Sequence, residues 1–182
     1  MDRWRPARRA GAVIVATIAF AALVPLGATA ADQQPVTIDT YLAQLSGVAV
    51  TELNSNRIQV SYVGGGMASS NSFLFGCESG GAVEWKYNPD TTSGTVSGSL
   101  GIGSACLATE PISWSGDFRG RLTPDGASGV LHMTSDTGLR LRATWTTPGP
   151  VDPTVGTLQM SVSGVVAGDI QVGELKLGRS QS

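Results

Sequence analysis

The feature that most constrains this chain is a period of two. From Gly47 onward, apolar residues take every second position in short runs, and the runs are broken by clusters of Gly, Pro, Asn, Asp, Ser and Thr. Successive side chains of an extended strand point to opposite faces, so such alternation describes strands buried on one side. The clearest case is "WSGDFRGRLTPDGASGVLHMTSDTGLRLRATW". Trp114, Gly116, Phe118, Gly120 and Leu122 fall on one face; Ser115, Asp117, Arg119 and Arg121 fall on the other. Leu139, Leu141, Ala143 and Trp145 alternate in the same way with Arg140, Arg142 and Thr144, and Leu131 and Met133 alternate with Val130 and His132. The turn-forming "TPDGAS" and "SDTG" separate the three runs, predicting strands over Trp114 to Leu122, Gly129 to Thr134 and Leu139 to Thr146.

The same reading extends along the chain. "GVAVTELN" and "RIQVSYV", joined by "NSN", predict a hairpin, and the glycine run Gly64 to Gly66 with "MASSN" predicts a loop. That glycine run has no following Lys-Ser/Thr, so it is not a phosphate-binding loop. Strands are expected through Phe73, Phe75 and Cys77, through Val83, Trp85 and Tyr87, and from Val96 to Ile102. A last pair is expected across the "AGD" turn, through Leu158 to Val166 and Ile170 to Leu177, with a β-bulge at Gly173-Glu174. Only "ADQQPVTIDTYLAQLSG" has helical spacing, with Ile38, Tyr41, Leu42 and Leu45 at i, i+3, i+4 and i+7, which predicts one short N-terminal helix, with a first strand as the alternative. About ten strands spaced roughly 12 to 13 residues apart, with no helix-length segments between them, predict an all-β antiparallel sandwich, with a closed barrel as the alternative.

Residues 1–30 stand apart. Arg3, Arg5, Arg8 and Arg9 precede an apolar run from about Ala10 to Val24 and the small-residue end Ala28-Thr29-Ala30, the layout of a cleaved secretory signal. The apolar run falls short of the roughly 20 residues a membrane span requires. The expectation is a mature domain of residues 31–182 in an extracytoplasmic compartment or the cell envelope. No transmembrane segment is expected in it after cleavage.

Without the leader's four arginines and Asp2, eight cationic and thirteen anionic side chains remain, a net charge of −5. That acidic balance argues against a nucleic-acid partner held by a general positive field. Cys77 and Cys106, the only cysteines, are expected to form a disulfide in an oxidising compartment. A metal site on these two and His132 has none of the close-paired ligand spacings of zinc centres. No metal or other cofactor is expected.

No catalytic motif is present: no G-x-S-x-G, no H-E-x-x-H and no dinucleotide fingerprint. A triad would have to use His132, the only histidine, with Asp136 and Ser128 or Ser135. A paired-carboxylate glycosidase would draw on Glu52, Glu78, Glu84, Glu110 and Glu174, but no spacing selects two of them. The candidate site is instead the polar face of the three-strand stretch, where a meander would put Arg119, Arg121, His132, Arg140 and Arg142 on one surface. Those four arginines are half of the mature chain's cationic side chains. Guanidinium groups suit carboxylate, sulfate or phosphate, whereas an alternating charged face also serves solubility alone. The expected function is a secreted non-catalytic binding module for an acidic glycan, wall polymer, lipid headgroup or protein partner. The alternatives are a structural or adhesive envelope protein and, third, a hydrolase with an unrecognised site.

Overall fold

The computed structural model describes residues 33–72, 74–103 and 112–168. Nine strands follow in chain order: β1 (Gln33–Gln44), β2 (Ala49–Asn54), β3 (Arg57–Ser70), β4 (Glu78–Asn88), β5 (Ser93–Gly103), β6 (Trp114–Thr123), β7 (Gly126–Ser135), β8 (Arg140–Thr146) and β9 (Thr157–Ala167). A single 3-10 turn, Pro153–Val155, precedes β9. All pairings are antiparallel, in the order β1-β9-β8-β7-β6-β5-β4-β3-β2, and β1 also pairs with β3. That last pairing makes the sheet a closed eight-stranded barrel, with β2 as an appendage on β3.

The all-β antiparallel expectation holds, and the architecture is the closed barrel named as the alternative rather than the sandwich. Its closure rests on β1 bonding to β9 on one side, with Ile38 opposite Val162, and to the second half of β3 on the other, with Leu42 opposite Gly66. One outward row followed from Gln59 of β3 across β4 to β9 and then β1 returns to β3 at Ser69, an offset of ten residues. Such a stagger accompanies the strand tilt that closes eight strands around an interior narrow enough for side chains to fill.

The expected N-terminal helix is β1. Its sequence carries a second pattern, Val36, Ile38, Thr40 and Leu42, and these four point inward and are buried while Tyr41 and Leu45 are exposed. β-branched residues favour the pleated form, and two neighbouring strands satisfy its backbone. The expected glycine loop is likewise a strand. Gly64, Gly65 and Gly66 lie inside β3, where a Cβ on Gly66 would fall 1.9 Å from the Tyr41 carbonyl oxygen. Glycine is what lets β3 approach β1 this closely and bend through the seam. The strand expected at Phe73 to Cys77 is also replaced: β3 runs on to Ser70, and the described residues after it form turns and bends.

Inside, large side chains face small ones. Gly129 pairs with both Gly120 and Trp145, and a Cβ at Gly120 would meet the Trp145 ring at 2.6 Å, while one at Gly129 would meet the Arg119 and Gly120 backbone; the absent side chain of Gly120 makes room for the indole. Trp145 donates its ring N–H to the Val130 carbonyl at 3.2 Å and meets Phe118 edge-on at 5.7 Å. The two ends are covered. At one, Trp114 stacks on Phe75 at 4.6 Å and donates to the Leu74 carbonyl at 2.8 Å. At the other, the stretch 147–153 folds back, with Pro153 buried and Val151 packed on the core. Tyr87, buried by this end and near Asp152, has its phenol pKa raised by burial and, to a lesser extent, by that carboxylate.

The predicted β2–β3 hairpin and the meander β6–β7–β8 are present, the latter within a few residues of the expected bounds. The expected leader, Cys106 with its expected disulfide, and the segment after Gly168, with its expected last strand and bulge, lie outside the described residues. Among the described residues no helix is long and apolar enough to cross a membrane.

Candidate functional site

The outer wall of β6, β7 and β8 carries all five candidate residues, each exposed. Register places them. His132 sits directly between Asp117 of β6 and Arg142 of β8. Arg119 faces Val130, Arg121 faces Ser128, and Arg140 faces Thr134. The arginines of β6 and β8 are therefore kept apart by β7. With strands about 4.8 Å apart and residues rising about 3.3 Å, each strand presents two guanidinium roots roughly 6.6 Å apart, on rails separated by roughly 10 Å. This is a spaced cationic wall on a convex surface, with one carboxylate, Asp117, set into it.

Nothing among the described residues neutralises the arginines by direct pairing; the salt bridge there is Lys86 to Glu84 at 2.8 Å, on the outer face of β4. Asp136, the acid a triad on His132 would use, is turned to other work: its carboxylate accepts the Ser113 amide at 3.2 Å and its own amide donates to the Ser113 carbonyl.

Among the described residues the hydrolytic constellations do not assemble. Ser135 points inward and is buried, sharing a hydrogen bond with Thr137 and accepting the Leu139 amide, while His132 points outward from the same strand. Ser128 is on the outer face but four residues from His132, roughly 13 Å along the strand. Among the candidate acids, Glu52 lies on β2, and Glu78 and Glu84 lie on the outer face of β4 opposite Met67 and Ser61. Glu110 and Glu174 lie outside the described residues. Trp85, Trp114 and Trp145 are all buried, so none is presented for stacking against a sugar ring.

Sequence reasoning missed a second outer feature. A groove of about 680 Å³ runs over β3, β4 and β5 beneath the β1–β2 connection, lined among others by Val48, Ser61, Val63, Ala82, Glu84 and Ser97. The small outward residues Ser61, Ala82 and Ser97 leave it open, a signal visible in the sequence only once the register is known. Comparison with protein-family models, with curated proteins and with solved structures finds no match in any of the three.

Proposed function

We propose that this chain is an exported, non-catalytic binding module that holds an extended anionic polymer, such as an acidic glycan or a phosphate-bearing wall polymer, along the outer wall of β6–β8. The observation that supports this reading is the placement of Arg119 and Arg121 on β6 and of Arg142 and Arg140 on β8 as two exposed pairs staggered along the wall on either side of β7, with no ion pair to any of the four among the described residues. A filled interior leaves recognition to the outer surface. Spaced rails suit repeated charges along a chain better than one compact phosphate, which would need the guanidinium forks to converge.

Retention of the mature domain on immobilised polyphosphate and dextran sulfate tests the reading. The wild-type domain is expected to bind at low ionic strength and to elute as salt rises, because exposed charges are screened over about 8 Å at physiological ionic strength. The R119S/R121S/R140S/R142S variant is expected to pass through unretained. Equal retention of the two proteins would end the proposal.

A further inference from the structure

β2 is the one strand among the described residues that has a free edge. One side of it bonds to β3; on the other it makes no backbone hydrogen bond, and all six of its residues are exposed. Every other strand has neighbours on both sides. A free edge is a row of unpaired N–H and C=O groups that natural proteins usually guard with Lys or Pro. "AVTELN" has neither; its single charge is Glu52, and a bulge interrupts its pairing with β3 between Glu52 and Asn54. The apolar surface around the edge is equally uncovered. Val50 and Leu53 on β2 are 55% and 45% exposed, and Leu45 just before it is 73% exposed. Val63, whose carbonyl takes the Leu45 amide, is also exposed, as is Val155 beside Gly156, whose carbonyl takes the Gln44 amide. Three of the eight large hydrophobic side chains exposed among the described residues, Leu45, Val50 and Leu53, thus lie on this strand or just before it.

An edge of this kind accepts an extended backbone, and the sequence of β2 suits its own antiparallel copy. With a two-fold axis at Thr51, Val50 lies opposite Glu52 of the copy, within the stretch 49–52 that pairs regularly with β3 ahead of the bulge. In that register neither carboxylate faces its counterpart, whereas an axis at Glu52 would oppose two like charges. The same patch on both subunits makes the contact isologous, so it closes at two.

We propose that two copies of this chain associate through β2, joining their sheets antiparallel about Thr51 and covering Leu45, Val50 and Leu53. Sedimentation equilibrium over a range of concentrations tests this on the mature domain, its T51K and T51E variants, and their equimolar mixture. Thr51 is exposed, so both variants should keep the wild-type far-ultraviolet spectrum. The wild type is expected to dimerise, each variant to weaken the dimer by about tenfold or more by placing like charges face to face, and the mixture to recover it as a heterodimer. A wild-type chain that stays monomeric would overturn the proposal and leave the edge to an extended segment of another protein. A dimer that both variants leave intact would overturn it as well.

Discussion

Tyr62 is where burial and bonding disagree within the barrel. Its ring points inward and is nearly inaccessible, yet neither its hydroxyl nor the indole nitrogen of Trp85 makes a hydrogen bond; Thr40 Oγ1 is in the same position. Burial pushes the Tyr62 phenol up to about 12, opposed in part by the neighbouring Trp85 indole. The folded state therefore holds this proton more tightly than the unfolded chain, whose tyrosines titrate near 10. Stability is unaffected below about pH 10 and falls as pH rises from there through about 12. Tyr62→Phe deletes an unbonded buried hydroxyl, so it should cost under about 1 kcal/mol near neutral pH or stabilise the fold. Urea midpoints at pH 7 and pH 11 check both statements: the variant should match or exceed the wild type at pH 7 and lose less on going to pH 11. Glycine acts at this scale too, by the absence of an atom. Gly120 falls on the apolar face of its strand in the sequence, and its missing side chain admits the Trp145 ring.

At the scale of the strand, the seam between β1 and β3 carries the closure, and it can be tested separately from the rest. A Cβ at Gly66 would sit 1.9 Å from the Tyr41 carbonyl oxygen, backbone that cannot yield without opening the seam, while a Cβ at Gly101 meets nothing closer than 3.6 Å. Gly66→Ala is therefore expected to destabilise by about 1–3 kcal/mol or more, as overpacking does, and Gly101→Ala to be nearly neutral. Thermal unfolding of the two variants decides it, and equal effects would speak against a closed seam. The elements legible beforehand were those with one pattern and strong turns. β6, β7 and β8 combine strict alternation with Pro-Asp-Gly and Asp-Thr-Gly turns, and their inward and outward faces follow directly. β1 carried two overlapping patterns, helical through Tyr41 and Leu45 and alternating through Val36, Ile38, Thr40 and Leu42. Only its two neighbours, both distant in sequence, select the second. Gly64–Gly66 misled for a related reason, because local propensity reads glycine as a turn whereas the seam requires it in a strand.

The whole molecule is a barrel whose exterior is divided. β6–β8 present Arg119, Arg121, Arg140 and Arg142, and β1–β5 present Arg57, the Lys86–Glu84 pair, small residues, the groove of about 680 Å³ and the free edge of β2. Closure and shear are properties of pairing between distant segments, so they left little trace in the local pattern from which a sandwich was the natural expectation. The candidate cationic face was legible because exposure follows from alternation alone. Its spacing was not, because it depends on which residue of β7 lies between each pair, and that is set by register. The division of the exterior makes the functional reading local and therefore open to direct mapping. In a titration of the 15N-labelled mature domain with polyphosphate, followed by amide chemical shifts, the perturbations should centre on Arg119, Arg121, His132, Arg140 and Arg142 and reverse on addition of salt. Perturbations confined to the groove over β3–β5, or none at all, would contradict the assignment of that wall as the binding surface.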